Sequence, residues 1–276
     1  MRRLGFALFL CLISCAAAKA DTILAANCAV TPAICADTPS ASGTLTTIAT
    51  DYRGYSDAFY VSGTVTNASH TLYDSTYGTT VSAAVTVGYD GIHGSSSVSP
   101  GGSGGAIARF DGQIIDYFQA TGNVPSGAQL EVTYGADILS NASLASYSYY
   151  SAGLQLNGTN CFDNLYSSGN FTDTCTAYIP ISSTDQTATL VLDFFTDLDS
   201  SRNSNAFLDA TNTAKFDAIT VVDAAGNPLS AVQLYDTSGY NYDSAVPPAA
   251  TPEPSSFLLL TTGLATMTGL ARRRLA

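Results

Sequence analysis

Short segments in which apolar and polar residues alternate recur along the middle of the chain, separated by clusters of glycine, asparagine, aspartate and serine. Residues 80–89 show the pattern most clearly, because every second side chain would lie on the same face of a strand. The residues on that face are Val81, Ala83, Val85 and Val87. Lysine and glutamate are scarce, and no pattern of a long amphipathic helix occurs. The sequence therefore predicts an all-β fold, an antiparallel β-sandwich of about a dozen short strands with a jelly-roll-like arrangement.

The predicted sandwich occupies residues 21–246. Its candidate strands are residues 44–50, 58–66, 80–89, 113–120, 129–134, 147–156, 176–181, 187–195, 206–208, 215–223 and 231–235. Small residues dominate positions 94–105, which predicts a loop, and residues 223–228 have the composition of a turn. The sequence has no repeat of fixed period, and this argues against a propeller or a β-helix.

The last thirty residues differ in composition from the rest of the chain. Residues 247–254 form a proline-rich linker, because proline blocks helix formation and keeps the chain stiff and extended. Residues 255–271 carry no charge. As a helix they would span roughly 25 Å, slightly less than a hydrocarbon core of about 30 Å. Residues 255–276 are thus predicted to form one transmembrane helix that ends in a cytoplasmic basic cluster, Arg272, Arg273 and Arg274.

The order of features in this tail resembles a known sorting signal. Pro252, Glu253 and Pro254 precede the apolar segment, and the arginine cluster follows it. This arrangement, over residues 250–275, resembles the PEP-CTERM signal of exported proteins in Gram-negative bacteria. The resemblance implies recognition by an exosortase, a membrane transpeptidase-like enzyme, with cleavage near the Pro-Glu-Pro motif. It also implies export linked to exopolysaccharide production, whereas a plain single-pass anchor is the alternative reading of the same segment.

The N-terminus has the organisation of a secretory signal peptide. A positively charged start and a short apolar stretch precede Ala18 and Ala20, which have the spacing of a signal peptidase site. Residues 1–20 are therefore predicted to be a signal helix that is removed by cleavage before Asp21. A lipobox that ends at Cys15 is the alternative, and it would make that cysteine a lipidated N-terminus.

The charge of the body limits its partners. Six of the ten lysines and arginines lie in the two ends, whereas 21 of the 22 acidic residues lie between them. The body therefore carries a net charge of −17. Such a surface repels nucleic acid and anionic lipid, so we expect no nucleic-acid partner. It favours solubility in an extracellular matrix and attracts cations.

Four cysteines remain after removal of the signal peptide, and an even number is typical of exported proteins. They are Cys28, Cys35, Cys161 and Cys175. Three pairings are possible. Short loops favour Cys28–Cys35 and Cys161–Cys175, each of which would stabilise the fold by roughly 2–4 kcal/mol. Zinc is a poor alternative, because the spacings are not those of a zinc site.

One group of oxygen-bearing side chains is dense enough for a cation. Asp193, Asp197 and Asp199 lie close to Asn203 and Asn205, and calcium prefers six to eight oxygen ligands. The spacing lacks the glycine and terminal glutamate of an EF-hand. A polar loop between strands is the alternative, and no other cofactor is expected.

No residue is predicted to be catalytic. Ser103 lies in a Gly-x-Ser-x-Gly sequence, but the flanking segments do not read as strand and helix, and both histidines, His70 and His93, precede it. Each histidine is read as an ordinary surface or loop residue. Aromatic side chains could stack on sugar rings, but the chain has no tryptophan, and the alternative is that tyrosines of a β-sandwich pack at its boundary with water. The candidates are Tyr147, Tyr149, Tyr150, Tyr235, Tyr240 and Tyr242.

These observations predict an exported, non-enzymatic matrix or adhesion protein at the cell surface or outside the cell. Its C-terminal helix would anchor it transiently in the inner membrane. The expected partners are signal peptidase, an exosortase and an extracellular polysaccharide. A carbohydrate-binding module is the alternative. A secreted hydrolase and a permanently tethered membrane protein are weaker alternatives.

Overall fold

The computed structural model describes residues 23–50, 56–101, 104–142, 147–166, 171–201, 204–240 and 242. Within these ranges the protein is all-β, as the sequence predicts. The predicted signal peptide, the proline-rich linker and the C-terminal helix lie outside the described residues, as do Ser103 and Asn203. Among the described residues, no helix is long and apolar enough to cross a membrane.

Fourteen strands follow one another in the described part of the chain. They are β1 (Leu24–Ala25), β2 (Ser40–Thr50), β3 (Ser56–Val65), β4 (Asn67–Asp74), β5 (Thr79–Gly88), β6 (Gly91–Ser99), β7 (Gly105–Gly122), β8 (Gln129–Ser140), β9 (Ser148–Leu156), β10 (Thr159–Tyr166), β11 (Phe171–Pro180), β12 (Thr187–Ser201), β13 (Ala206–Val222) and β14 (Val232–Asp236). Alternation of buried and exposed side chains along these strands accounts for the alternating sequence pattern.

The strands form two sheets. In the larger sheet the order is β1-β14-β7-β12-β9-β10. β2 pairs with residues 105–115 of β7, on the same side as β14, and it also pairs with β3. In the smaller sheet the order is β11-β8-β13-β6-β5-β4. Every pairing is antiparallel except the two-residue bridge between β1 and β14. The central strand β7 therefore has partners from both ends of the chain.

The apolar faces of the two sheets pack against each other and form the core. Val81 and Val85 of β5 are fully buried, as their alternation predicts. Phe110 of β7 and Phe194 of β12 lie side by side with ring centroids 6.0 Å apart. Gly94 of β6 makes room for Phe110, because a Cβ atom at Gly94 would lie only 2.4 Å from that ring. Burial of such side chains supplies roughly 25 cal/mol per Å² of apolar surface.

Both disulfides predicted from the sequence are present in the structure. Cys28–Cys35 closes a local loop before β2. Cys161–Cys175 does more than close a loop, because it joins β10, an edge strand of the larger sheet, to β11, an edge strand of the smaller sheet. Phe162 and Phe171 pack beside it with ring centroids 4.7 Å apart. This bond therefore ties the two sheets together at one side of the core.

The structure differs from the sequence prediction at two small-residue segments. The predicted loop at residues 94–105 is wrong over residues 94–99, since β6 continues to Ser99 between β5 and β13, whereas residues 100, 101 and 104 lie outside the strands. Small side chains suit this strand because the large ring of Phe110 fills the space beneath it. The polar loop that was the alternative to a calcium site is also wrong for residues 196–201, since β12 continues to Ser201. The turn after β13 is confirmed: Asp223 accepts hydrogen bonds from the backbone of Ala225 and Asn227.

Candidate functional site

The solvent-facing side of the larger sheet carries a regular polar surface, which we call the polar face. It is formed by β2, β7, β12 and β9, and its side chains stand in four rows across the strands. The rows are Ser42–Gln113–Asp193–Gln155, Thr44–Asp111–Phe195–Gly153, Thr46–Arg109–Asp197–Ser151 and Ile48–Ile107–Asp199–Tyr149. Every row therefore contains one aspartate.

In two rows that aspartate accepts a hydrogen bond from a neutral side chain on a neighbouring strand. Gln113 Nε2 donates to Asp193 Oδ1 over 2.7 Å. Thr44 Oγ1 donates to Asp111 Oδ2 over 3.1 Å. Both bonds join different strands, so they hold the side chains in place before any ligand arrives.

The other two rows contain stronger pairs. Arg109 Nη2 lies 2.8 Å from Asp197 Oδ2, and this bond raises the pKa of the guanidinium. The Tyr149 hydroxyl donates to Asp199 Oδ2 over 2.8 Å. This bond, together with desolvation, raises the pKa of Tyr149 to about 12. Tyr149 therefore remains a protonated donor at every physiological pH.

A hollow of about 370 Å³ lies on the polar face between the first two rows. The residues that line it include the oxygen-bearing Ser42, Thr44, Asp111 and Asp193 and also Phe195. The Phe195 ring covers Gly153, because a Cβ atom at that glycine would lie 2.2 Å from the ring carbons. The hollow thus combines hydrogen-bonding groups with one half-buried aromatic ring.

The structure places the three aspartates of the calcium hypothesis in a line along β12. Asp193 and Asp197 are four residues apart on an extended strand, which separates them by about 13 Å. Each of the three carboxylates has its own partner on a neighbouring strand, and among the described residues the three do not come within reach of one metal ion. Asn205 instead accepts a hydrogen bond from Ser99.

Among the described residues, one group has three potential ligands within reach of a metal: Cys161, Asp173 and Cys175. The two sulfur atoms of that group are joined in a disulfide. Neither sulfur is therefore a free thiolate, which is the form of cysteine that binds metals.

The tyrosines proposed from the sequence to stack on sugars are not equivalent. Tyr150 and Tyr242 are buried in the core, so the interpretation of these two as ligand-stacking residues is wrong. Tyr147 is 55% exposed, and Tyr149 lies on the polar face. The aromatic residue that borders the hollow, Phe195, was missed. The adjacent pair Phe194–Phe195 was the available signal, because neighbours on a strand face opposite sides.

The two histidines lie on the smaller sheet, away from the polar face. His70 is not a loop residue: it lies on β4, half buried, with Nδ1 2.9 Å from the hydroxyl of buried Thr47. His93 lies on β6, with Nε2 3.8 Å from an oxygen of Asp90. The histidines therefore do not form a site with the polar face.

A second polar group is buried beside the residues that follow β14. Asp116 of β7 is fully buried and accepts five hydrogen bonds from the chain around it. The donors are the backbone amides of Tyr117 and Ser238 and the hydroxyls of Thr237, Ser238 and Tyr242. This carboxylate therefore fixes the described residues that follow β14, which we call the C-terminal latch (residues 237–240 and 242).

The neighbouring carboxyl of Asp236 is also fully buried. The Ser238 hydroxyl lies 2.6 Å from Asp116 Oδ2 and 2.7 Å from Asp236 Oδ2, yet it has only one hydrogen to donate. A proton on Asp236 completes the chain, since Asp236 then donates to Ser238 and Ser238 donates to Asp116. Desolvation and the nearby charge of Asp116 raise the pKa of Asp236 to about 7, in agreement with this arrangement.

Comparison of the chain with models of known protein families gives no match, and comparison with curated proteins gives none either. The fold and the polar face define the protein as an all-β, disulfide-containing molecule with a hydrogen-bonding hollow on one sheet.

Proposed function

We propose that this protein is an exported, non-enzymatic component of the cell surface or extracellular matrix. Signal peptidase would remove residues 1–20, and an exosortase would recognise the tail through Pro252, Glu253 and Pro254. The Cys161–Cys175 bond between the two sheets is the observation that carries the proposal, because such a bond persists in oxidising compartments and is rare in the cytosol.

The position of the latch supports the same proposal. Tyr242 is buried between the sheets, with its ring 5.8 Å from Phe118 of the larger sheet and 5.4 Å from Phe216 of the smaller one. Only four residues separate Tyr242 from the proline-rich linker. A core residue therefore lies close in sequence to the start of the sorting signal, and processing of the tail would leave Tyr242 and the core in place.

The path of the chain between the two sheets supports a jelly-roll-like arrangement of the strands. From β6 onward successive strands alternate between the sheets, except for the hairpin of β9 and β10, both of which lie in the larger sheet. We infer that this is a jelly-roll-like β-sandwich, a scaffold typical of exported binding and structural proteins. Its acidic surface suits a hydrated polysaccharide matrix.

A change in the tail tests the sorting step. The double substitution Pro252→Ala/Pro254→Ala is expected to leave most of the protein in the membrane fraction with residues 255–276 attached. The physical reason is that an exosortase would lose its recognition motif, whereas the apolar segment would remain intact. The measurement is fractionation of the producing bacterium, followed by mass spectrometry of the C-terminal peptides.

The matched control is Pro247→Ala/Pro248→Ala, which alters the same linker outside the motif. It should be processed and released like the wild-type chain. Equal processing of the motif variant and the control would exclude recognition of the Pro-Glu-Pro motif, and the tail would then be a simple anchor.

A further inference from the structure

We propose that the hollow on the polar face binds a polysaccharide chain that lacks acidic groups. This inference rests on the proposed function, because it names the matrix component that the exported protein would contact. It assigns the ligand to Phe195, Asp111, Asp193 and Gln113.

Phe195 supplies the apolar part of the site. Sugar rings present C–H groups on one face, and these pack on aromatic rings, which carry partial negative charge above their plane. The ring of Phe195 lies on the solvent side of the sheet and is held there by contact with Gly153, which has no side chain to lift it away. An aromatic ring so placed beside a hollow is available to a sugar unit.

The polar rim supplies the directional part of the site. Asp111 and Asp193 are hydrogen-bond acceptors that stand on neighbouring strands, and each already has one partner that fixes its orientation. A carboxylate has about four acceptor positions, so each can accept further bonds from sugar hydroxyls. Gln113 also lines the hollow, and its side-chain carbonyl can accept a hydrogen bond while its amide donates to Asp193. Preorganised groups of this kind lower the entropic cost of binding.

The charge of the face selects among polysaccharides. The four rows contain four aspartates and one arginine, Arg109, which is engaged by Asp197. The field above the hollow is therefore negative, and the body as a whole has a net charge of −17. Uronate polymers would be repelled, whereas neutral sugars would pay no such penalty. The hollow is within the size range of small-ligand sites, about 300–1,000 Å³.

The full chain, purified in mild detergent, is tested by affinity electrophoresis against a neutral glucan, a neutral galactomannan and alginate, a uronate polymer. We expect binding to at least one neutral polymer and weaker or absent binding to alginate. Phe195→Ala should weaken binding at least tenfold, and Asp193→Asn should weaken it as well. Tyr73→Ala is the matched control, since Tyr73 is 63% exposed on β4 of the other sheet.

Circular dichroism and thermal unfolding establish whether each variant is folded. If Phe195→Ala does not fold, Asp193→Asn is the variant that decides the test. Absence of binding to both neutral polymers, preference for alginate, or binding unchanged in the folded variants would overturn the proposal. Export is measured separately in the same strains. Export without binding would refute the site alone, whereas binding by a protein that is never exported would refute the proposed function alone.

Discussion

Replacing Asp116 by alanine is expected to lower the free energy of unfolding by about 3–5 kcal/mol. The substitution leaves the five donors that face Asp116 without their acceptor in a site that water does not reach. The Tyr242 hydroxyl would be among them, so its ring would lose the hydrogen bond that holds it between Phe118 and Phe216. The latch should then detach and expose one end of the core. Urea denaturation followed by circular dichroism measures the change.

Asp137→Ala is the control for this experiment, because Asp137 is exposed on β8 and its loss should change stability by no more than about 0.5 kcal/mol. Asp116→Asn tests the chemistry at constant size. Its amide group would present hydrogens to donors that need an acceptor, so this variant should also be strongly destabilised. If Asp116→Ala unfolds at the wild-type urea concentration, the latch is not held by Asp116.

Raising the pH from 4 to 8 is expected to lower the free energy of unfolding of the wild-type protein through Asp236. The carboxyl titrates near pH 3.9 in an unfolded chain and at about 7 in the fold, so the folded state holds the proton more tightly. The contribution is fully present below pH 3.9 and is lost as the pH rises through 7. Linkage over three pH units corresponds to an expected loss of about 4 kcal/mol.

Asp236→Asn isolates this effect from other titrations, because an amide can donate to Ser238 at any pH while its oxygen still accepts from Gly239. Tyr89 and Tyr242 face the same carboxylates, but burial and these charges raise the pKa of both hydroxyls above the range tested. The variant should lose less stability than the wild type between pH 4 and 8. Parallel curves for the two proteins would show that Asp236 does not carry a proton in the fold.

The alternation of side chains made the fold class predictable. Val81, Val85 and Leu130 are buried, as their positions in the alternating pattern indicate. The pairing of strands was not predictable in the same way, because β7 pairs with β2, β12 and β14, which come from distant parts of the chain. Periodicity reports which face of a strand is buried and does not report which strand lies beside it.

Short sequence distances made the disulfides predictable, whereas their role in the fold depended on topology. Cys161 and Cys175 are 14 residues apart, yet they lie on edge strands of different sheets. Low side-chain volume made the prediction wrong at β6, where glycine and serine indicated a loop but form a strand. Tertiary packing overrode local preference there, because Gly94 faces the ring of Phe110.

In the candidate sites, too, local sequence predicts the environment of single side chains, whereas their neighbours depend on the topology. The Phe194–Phe195 pair indicates that one ring is exposed, but only the structure places Phe195 beside Asp111 and Asp193. The buried pair of Asp116 and Asp236 had no local signal, since the two residues come from separate strands and meet only when β14 pairs with β7. Composition suggested a cation site formed by Asp193, Asp197 and Asp199. In the fold, each of these carboxylates pairs with a different side chain on a neighbouring strand.

The intact mass of the protein recovered from the cell surface tests directly whether the chain is exported, processed at both ends and disulfide-bonded. We expect a chain that begins at Asp21, ends near the Pro-Glu-Pro motif and gains four hydrogens on reduction, two for each disulfide. A cytosolic protein with the mass of all 276 residues and four reduced cysteines in its body would contradict it.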